Sequence, residues 1–350
     1  MKLAIVLVHY HTPRLAQRAC EALLADAERS QHELELVLVD NGSREQDSRL
    51  LSSLPARRLD PGRNLGYAGG ANLGVRETSA ERVVVMNPDV IVLPGCLEAL
   101  GSTLEAGVAV AGPRFYWDAE RRFLLPPTER VGRWSELQRV LALRGGGWAS
   151  QARRSWRRHA RRHWLAEQTI SSCDLSGALL AFRRSVWQQI GPFDEGYRLY
   201  FEETDWLQRL ARSGASCRYV PAAEAVHLYA QSTVAEGQAQ SWFLQSNRRF
   251  RRRTYGPRFT RILERLGGQS SPPATAPQRS VASSARAAWL EVSPSPLGFP
   301  AAACRFAQDT EPSTQLPAEI RERLAPGTYR LRMLSEADRT LALDTLAVPP

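Results

Sequence analysis

The ten residues VVVMNPDVIV, at positions 83–92, form one of the most apolar runs of the chain, and they decide how its fold is interpreted. The run is typical of a buried β-strand, yet Asn87, Pro88 and Asp89 interrupt it. Proline cannot donate a hydrogen bond to a strand ladder, and a carboxylate is costly to bury in apolar surroundings. We therefore predict that the strand stops here and presents Asp89 at its carboxyl end. An edge strand or a bulge with a solvated aspartate is the alternative.

Strand and helix patterns alternate around this run. LAIVLV (3–8) and LELVLVD (34–40) are short apolar strands of the kind that helices cover on both faces. A Thr-Pro pair at 12–13 marks a helix start between them, and apolar residues then recur every four positions. This order predicts an α/β fold with a doubly wound, mostly parallel sheet. Such sheets bind ligands at the carboxyl ends of their strands, where Asp40 and Asp89 fall.

The chain of 350 residues is long enough for one large domain and an appendage. The predicted division is a large domain (1–266) that contains a basic, aromatic insertion (113–170), a linker (267–280) and a small β-rich module (281–350). Two segments of that module, GTYRLRML (327–334) and TLALDTLAV (340–348), alternate as strands do.

The charge of the chain bears on its partners, and its cysteine content bears on its cellular compartment. The net charge is +10, carried almost entirely by arginine, which reflects either a GC-rich genome or an anionic partner. Five cysteines without a CxxC motif argue against a disulfide framework and a cysteine zinc site, and they favour a cytoplasmic protein. The apolar run near the start is too short for the core of a signal peptide, and no run approaches the roughly 20 residues of a membrane helix.

Asp89 and the glycine-rich segment 63–74 are both suited to contact a ligand. Asp89 offers the hard oxygen that Mg²⁺ or Mn²⁺ prefers, and such an ion would neutralise a diphosphate. RNLGYAGGANLG (63–74) has glycines that would let backbone N–H groups approach a ligand, or would simply form a tight corner between strand and helix.

The segment YFEETDW precedes an amphipathic helix whose apolar stripe begins at Trp206. At about 100° per residue, Glu203 points close to the centre of that stripe and Asp205 points nearly opposite. A carboxylate in the first turn of a helix is favoured in its ionised form, as a general base requires. Helix capping by solvated acids is the alternative. His227 follows a short strand and would either complete an acidic metal site or make a structural hydrogen bond.

Over roughly residues 1–255, these motifs and their order resemble the family 2 glycosyltransferases with the GT-A fold, in particular bacterial rhamnosyltransferase-like members. VLVHYHTPRLAQRACEAL is similar to the opening strand and helix, LVLVDNGS to the base-binding turn, and NLGYAGGANLG to the donor loop. NPDV stands in the place of the DxD metal motif, with Asn87 where the first acid is usual. CDLSGALLAFRRSVWQQIGPFDE resembles the acceptor-side segment, and YFEETDWLQRL stands in the place of the ED motif, with Glu203 where aspartate is usual.

The resemblance implies a metal-dependent, inverting transfer of a sugar, with rhamnose as one candidate, from a nucleoside-diphosphate sugar. The acceptor would be a hydroxyl of a glycan or lipid-linked saccharide in cell-surface polysaccharide synthesis. Glu203, or alternatively Asp205, would be the catalytic base, and Asp89 with His227 would bind Mg²⁺ or Mn²⁺, with Ser232 nearby. The implied donor-binding residues are His9, Tyr10, Asp40, Asn64, Gly66, Gly70, Asn72, Asn87 and Asp89. The implied acceptor-binding residues are Ser176, Gly177 and Trp206.

Residues 148–164 combine a tryptophan stripe with pairs of arginines every four residues. On a helix this pattern predicts an aromatic face beside a basic face, as in a helix that lies in an anionic membrane interface or contacts an acceptor diphosphate. A solvated helix whose tryptophans pack on the domain fits equally well. Since the resemblance implies polyprenyl-diphosphate-linked acceptors, we expect a cytoplasmic protein that is peripheral on the inner face of the cell membrane.

Two other functional classes fit parts of the sequence. The positive charge with interleaved aromatic residues would suit a nucleic-acid-binding protein, but the basic residues lie away from the predicted ligand edge and no nucleic-acid motif occurs. A sugar nucleotidyltransferase would share the sheet and the metal, but it would need a basic loop near the first strand, which HYHTPRLAQ (9–17) lacks. We therefore expect no nucleic acid as a partner.

Overall fold

The computed structural model describes residues 1–228, 239–267, 279–280, 286–307 and 311–349. By packing, the chain divides into a first unit (1–115 with 166–257) and a second unit (116–165 with 258–350). The predicted insertion 113–170 therefore packs mostly with the C-terminal residues. Most of the predicted linker 267–280 lies outside the described residues, as does Ser232, so the predicted domain boundaries stay predictions.

In the described residues the helices are α1 (Pro13–Arg29), α2 (Glu45–Ser52), α3 (Gly66–Arg76), α4 (Cys96–Glu105), α5 (Arg133–Ala142), α6 (Gly146–Trp164), α7 (Arg184–Ile190), α8 (Glu202–Arg212), α9 (Ala239–Tyr255), α10 (Pro257–Gly267) and α11 (Ala318–Arg321). The strands there are β1 (Lys2–His9), β2 (Glu33–Asp40), β3 (Arg57–Leu59), β4 (Arg82–Met86), β5 (Val90–Val92), β6 (Val110–Tyr116), β7 (Phe123–Leu124), β8 (Ile170–Ser171), β9 (Leu179–Arg183), β10 (Cys217–His227), β11 (Arg279–Ser280), β12 (Trp289–Ser293), β13 (Ala302–Arg305), β14 (Gly327–Leu334) and β15 (Thr340–Val348).

The sheet of the first unit has the strand order β3-β2-β1-β4-β9-β6. The four strands from β3 to β4 are parallel, and β9 and β6 run antiparallel to their neighbours. Alternate residues of β1 supply two cores, one with Leu3, Ile5 and Leu7, the other with Ala4, Val6 and Val8. Helices α1 and α4 cover the first face, and α3 and α8 cover the second. The predicted α/β fold with a mostly parallel sheet is confirmed.

The run 83–92 is two strands rather than one. Strand β4 pairs with β1 in parallel, whereas β5 pairs antiparallel with β10, so that Val90 lies opposite His227. In the turn between them, the Asn87 N–H donates to the Ala178 carbonyl over 2.9 Å, and the Leu228 N–H donates to the Asp89 carbonyl over 2.9 Å. Pro88 lies just after the last paired residue of β4. Its missing N–H therefore leaves no strand hydrogen bond unmade. The predicted strand stop is confirmed.

In the second unit, α5 and α6 pack on an antiparallel sheet with the order β11-β15-β14-β12-β13-β7. The predicted strands 327–334 and 340–348 are confirmed as β14 and β15, and they form an antiparallel pair. A buried ion pair joins helix to sheet, with the Arg157 Nε 2.6 Å from the Glu291 Oε1.

Two of the three tryptophans in the α6 stripe pack against this sheet. Trp156 and Trp164 are 7% and 5% exposed, and the Trp164 ring stacks 5.8 Å from that of Trp289. Trp148 alone of the three is exposed, at 45%. Of the two alternatives for this helix, Trp156 and Trp164 follow the one in which the tryptophans pack on the domain, because the strands of the same unit supply the apolar partner. No helix in the described ranges combines the length and the apolar character that crossing a bilayer requires.

One pair of cysteines differs from the expectation of unpaired thiols. Cys173 and Cys217 form a disulfide in the first unit, with their Cα atoms 5.1 Å apart. The two residues are 44 positions apart in the sequence, so no short cysteine motif predicts that they pair. Cys20 and Cys96 are free and buried, and Cys304 is free and partly exposed.

Candidate active site

The turn after β4 places Asp89 at the carboxyl edge of the parallel strands. Asp89 is 1% exposed, and its main chain is held by the Leu228 N–H at the end of β10. Strand β10 also carries His227, whose Nε2 lies 3.4 Å from the Asp89 Oδ1. The fold thus brings together the two residues that the sequence predicts as metal ligands.

Asp89 and His227 offer one oxygen and one nitrogen donor to a cation. Mg²⁺ is usually held by one or two carboxylates together with substrate phosphates and water, and Mn²⁺ accepts similar donors. No cluster of three or more His, Cys, Asp or Glu side chains suited to a metal is found in the part of the chain that the structure describes. The pair therefore fits an ion that completes its coordination with phosphate oxygens of a ligand.

A cavity of about 300 Å³ opens beside this pair, within the first unit. That volume lies at the lower end of the range for sites that bind small molecules. The predicted residues that line it are Tyr10, Asn64, Gly66, Asn87, Asp89, Ser176, Gly177, Glu203 and His227. The cavity therefore contains most of the predicted site, although the role of each residue stays a prediction.

The glycine-rich segment forms one wall of the cavity through a network of asparagines. The Asn41 side chain accepts from the Leu65 N–H over 2.8 Å and donates to the Gly66 carbonyl over 3.0 Å. The Asn64 Oδ1 accepts from the Gly66 N–H over 2.8 Å. Gly66 has φ +74°, and a Cβ there would lie 2.8 Å from the Arg198 carbonyl oxygen. Glycine is required at this position because the backbone is left-handed and a second chain segment lies against it.

Two adjacent acids, Glu202 and Glu203, enter the cavity at the start of α8. The residues before them, Tyr200 and Phe201, have φ +67° and +70°, and this pair of left-handed residues turns the chain into the helix. Glu202 is 4% exposed, and among the described residues its Oε2 has no hydrogen-bond partner. A Cβ at Gly177 would lie 2.6 Å from the Glu203 Cγ, so a glycine is needed to make room for this side chain.

Burial dominates the electrostatics of these acids. Loss of water raises the pKa of Glu202 well above its usual value, and the neighbouring charge of Glu203 raises it further. Burial also raises the pKa of Glu203. The pKa of Tyr67, whose hydroxyl donates to the Gly177 carbonyl over 3.1 Å, is raised by burial and then by Glu202, Glu203 and Asp89. Burial therefore disfavours the ionised form of both carboxyls, and the repulsion between them disfavours two negative charges at the same time.

Asp205 does not line the cavity. It is 4% exposed, accepts from the Arg209 Nε over 3.0 Å and lies 3.5 Å from the Arg253 Nε. The periodicity places Asp205 opposite the apolar stripe, which suggests solvent, but α9 covers that side. This buried ion-paired setting differs from what a base in contact with substrate needs.

Trp206, predicted to bind the acceptor, is a core residue. It is 0% exposed, its ring centroid lies 5.2 Å from that of Phe182 and 5.2 Å from that of Phe193, and its Nε1 donates to the Gly191 carbonyl over 2.9 Å. It does not line the cavity. The prediction misjudged it because the same apolar stripe that identifies the helix also requires this position to be buried.

His9 and Asp40, at the ends of β1 and β2, are also absent from the cavity lining. Asp40 accepts from the Ser43 N–H over 3.0 Å and from the Arg58 Nη2 over 2.5 Å. The His9 Nε2 lies 2.8 Å from the Ser43 Oγ, and burial lowers the pKa of His9 to about 4. Both residues lie at the predicted strand ends but are engaged with their neighbours, so their contact with a donor base stays a prediction.

Gly70 and Asn72 hold the fold together behind the cavity. A Cβ at Gly70 would lie 2.8 Å from the Val8 Cγ1, so this glycine allows α3 to pack closely on the sheet. The Asn72 side chain accepts from the Phe193 N–H over 3.0 Å and donates to the Phe193 carbonyl over 2.9 Å. Neither residue lines the cavity.

Several lining residues were missed, notably Tyr67, Arg198, Glu202 and Trp242. The sequence contains a signal for Glu202, because this residue directly precedes Glu203 at the start of the helix. Trp242 has no local signal, since only the packing of α9 brings it to the cavity.

Comparison with known proteins gives consistent matches. The sequence profile described as Glycosyl transferase family 2 matches residues 4–191, more than half of the chain. N-acetylglucosaminyl-diphospho-decaprenol L-rhamnosyltransferase of Mycobacterium tuberculosis, found in two strains, is 32% identical over 248 residues, which cover 66% of this chain and 77% of the relative. A low-salt glycan biosynthesis hexosyltransferase of Haloferax volcanii is 24% identical over 199 residues, which cover 55% of this chain and 58% of the relative.

Among solved structures, a crystal structure of GalNAc-T7 with UDP, GalNAc and Mn²⁺ is similar to this chain with a TM-score of 0.47 and 14% identity. The match covers 65% of this chain and 43% of that one. The family profile ends at residue 191, ahead of α8 and His227, so the roles of those residues must be argued from their geometry.

Proposed function

The chain belongs to glycosyl transferase family 2, and from this premise we propose that it is an inverting, metal-assisted enzyme that transfers a sugar from a nucleoside-diphosphate sugar to a hydroxyl of a lipid-linked saccharide. The observation that carries the proposal is one cavity at the carboxyl edge of the parallel strands that is lined by Asp89, Glu202, Glu203 and His227. The family match favours this activity over the nucleic-acid-binding and nucleotidyltransferase alternatives.

In the proposed mechanism, Asp89 and His227 are the residues that would hold a Mg²⁺ or Mn²⁺ ion. When bound, such an ion would supply positive charge that stabilises the departing diphosphate. The 3.4 Å approach of the two side chains supports this assignment, because both can reach one ion. Metal dependence is part of the proposal.

Glu203 is the proposed base. It accepts the proton of the acceptor hydroxyl while that oxygen forms a bond to the anomeric carbon and the bond from this carbon to the diphosphate oxygen breaks. Burial raises the pKa of Glu203 above its usual value, which makes its carboxylate a stronger base. Burial raises the pKa of Glu202, and in its protonated form this side chain would add no second negative charge beside Glu203 and would offer an O–H donor to a bound sugar.

The named relatives guide the choice of substrates. One acts, by its name, on an N-acetylglucosaminyl-diphospho-decaprenol acceptor and transfers L-rhamnose. We propose the same classes here, a deoxyhexose donor and a prenyl-diphosphate-linked acceptor, in the synthesis of a cell-surface polysaccharide. An acceptor of that kind is anchored in a bilayer, so we also propose a peripheral position at the inner face of the cell membrane.

A donor panel tests the proposal. The purified full chain is incubated with UDP- and dTDP-linked sugars and Mg²⁺ or Mn²⁺, with and without a prenyl-diphosphate-linked N-acetylglucosamine, and release of nucleoside diphosphate is measured. We expect release that depends on both the acceptor and the metal and is largest with a dTDP-deoxyhexose. Release that is the same for the unmodified chain and for Glu203→Gln would contradict it.

A further inference from the structure

Strand β14 of the second unit carries a buried arginine with two unpaired nitrogen atoms. Arg332 is 7% exposed, and its Nε and Nη1 atoms are buried without a hydrogen-bond partner among the described residues. The strand pairing places Glu291 of β12 directly opposite it. Both oxygens of that carboxylate, however, accept from Arg157 of α6, over 2.6 Å and 2.8 Å. Arg332 is therefore a buried cation whose facing acid already serves another cation.

Most of the charged groups around Arg332 are further arginines. Arg153, Arg157 and Arg330 all act on it electrostatically, and Glu291 is the acid that opposes them. Arg330 also acts on Arg153, so the two half-buried members of the cluster repel each other as well. Four guanidinium groups thus share one carboxylate, which leaves an excess of positive charge around Arg332.

Asp338 does not remove this excess. Its Oδ1 lies 3.9 Å from the Arg157 Nε but 2.7 Å from the Nη2 of a further arginine, Arg161. The carboxylate therefore brings its own cation to the cluster. It is also 41% exposed, so water screens its charge.

The cluster is electrostatically unfavourable without a counterion. Burial and then the charge of Arg153 lower the pKa of Arg332 to about 9, so the guanidinium still carries its charge at neutral pH. Burial and then the charge of Arg157 lower the pKa of Arg153 as well. An unpaired charge is costly to bury, and an anion that pairs with it removes that cost. The second unit should therefore gain stability when an anion binds here.

A turn at residues 295–298 fixes two of these arginines. The Gly298 N–H donates to the Ser295 carbonyl over 2.9 Å and closes the turn. A Cβ at Gly298 would lie 3.1 Å from the Arg332 Nη2, so the turn lies against that guanidinium. The Arg153 Nε donates to the Leu297 carbonyl over 3.2 Å, which leaves its two Nη groups to a ligand. Arg153 and Arg332 are thus positioned against one turn before any ligand arrives.

We propose that Arg153, Arg330 and Arg332 bind a free phosphate group, as inorganic phosphate or diphosphate or as part of a small soluble phosphorylated compound. Guanidinium groups match phosphate oxygens in a bidentate manner, and an excess of several positive charges favours a phosphate over a singly charged carboxylate. Because Arg332 is almost fully buried, a free phosphate reaches it more readily than one fixed in a bilayer. The assignment does not rest on the proposed function, since none of these residues lines the catalytic cavity.

Calorimetric titration of the full chain without metal tests the class of ligand. Inorganic phosphate, diphosphate and acetate are titrated separately at one ionic strength set with chloride, so that general screening is the same in each. We expect phosphate and diphosphate to bind at least about tenfold more tightly than acetate, because they offer more charge and more acceptor oxygens. Equal affinity for acetate would overturn the assignment to phosphate.

Arg332→Met locates the site and separates binding from folding. It should weaken diphosphate binding about tenfold or more. Without the anion it should keep or raise the thermal midpoint, since an apolar side chain replaces an uncompensated buried charge. An unchanged affinity, or a lower midpoint without the anion, would overturn the proposal.

Three further variants control this result. Arg330→Gln, at a half-buried position, should weaken diphosphate several-fold and keeps the test open if Arg332→Met does not fold. Arg158→Met on α6 is exposed and should change neither affinity nor midpoint. Arg198→Gln removes a guanidinium from the catalytic cavity and should leave the affinity unchanged. A loss of binding in Arg198→Gln as large as in Arg332→Met would place the anion in that cavity and overturn the assignment.

Vesicle binding distinguishes a free phosphate from a lipid headgroup. The unmodified chain and Arg332→Met are sedimented with phosphatidylcholine vesicles that contain or lack phosphatidic acid. We expect the two proteins to bind each kind of vesicle equally, because Arg332 lies below the surface. Weaker binding of Arg332→Met to the vesicles with phosphatidic acid would assign the site to a lipid headgroup and overturn the free anion as its ligand.

Discussion

The Asp89 Oδ1 and the His227 Nε2 lie 3.4 Å apart, because a turn after one strand and the end of another are joined by a backbone hydrogen bond. The pairing of β5 with β10 makes this contact, and neither strand alone would.

Asp89→Asn should therefore weaken metal activation. The amide keeps the shape of the side chain but removes its charge. Loss of a group that only supports a metal ligand typically costs about 10- to 100-fold in affinity, and we expect at least that for a ligand itself. The measurement is nucleoside diphosphate release as a function of Mn²⁺ concentration, with the exposed Glu28→Gln as a control. An unchanged activation constant for Asp89→Asn would show that the ion, if used, binds elsewhere.

Glu203→Gln should mainly reduce catalysis, whereas Asp205→Asn should mainly reduce stability. Glu203→Gln is expected to lower kcat by about 100-fold or more with little effect on folding, because the group that takes the proton is lost. Asp205→Asn is expected to lower the thermal midpoint, because it removes a buried partner of Arg209 and Arg253. Steady-state kinetics and thermal unfolding of both variants check this. A larger kcat loss for Asp205→Asn would reverse the assignment of the base.

The activity should depend on pH through Glu203. Its pKa is raised, and the base acts in its ionised form, so kcat/KM should rise with pH and level off above this raised pKa. The acid limb is expected above the ordinary glutamate value of about 4.3. A pH profile of kcat/KM measures it, and a limb at the ordinary value would contradict the role of burial.

Stability should fall with pH because of Glu202. The folded chain holds the Glu202 proton to a higher pH than the unfolded chain does, so the group stabilises fully below its unfolded pKa and loses this contribution as pH rises toward its folded pKa. The slope is about 1.4 kcal/mol per pH unit for one proton. Urea unfolding as a function of pH, above the ordinary glutamate pKa of about 4.3, should show a smaller loss of stability with rising pH for Glu202→Gln than for the unmodified chain. Glu28→Gln should lose stability with pH as the unmodified chain does.

Gly66→Ala should cost more than Gly62→Ala. Both glycines have positive φ, +74° and +71°, so both substitutions carry the same backbone strain of about 1–2 kcal/mol. Only at Gly66 would the new Cβ meet another atom, the Arg198 carbonyl oxygen at 2.8 Å, whereas nothing lies within 4 Å at Gly62. The difference between the two losses of unfolding free energy measures the contact of the new Cβ with Arg198. Equal losses would mean that the segment around Arg198 does not lie against Gly66.

Local patterns in the sequence determined the secondary structure and the approximate place of the site. The all-apolar run of β1 predicts a strand that is covered on both faces, and Pro88 predicts a strand end that presents Asp89. The alternation of apolar and polar residues alone predicts the strands β14 and β15. Each of these features depends on residues within a few positions of one another, so the local pattern of apolar and polar residues is enough to predict it.

The tertiary structure decided which of the candidate side chains share one cavity. Periodicity placed Glu203 inward, but it left Asp205 toward solvent, where α9 in fact covers it with Arg253. It also could not show that Trp164 would find Trp289 as its partner rather than a bilayer. Burial and charge pairing depend on which distant segments pack together, and the free energy of those contacts is not encoded in the spacing of any single helix or strand.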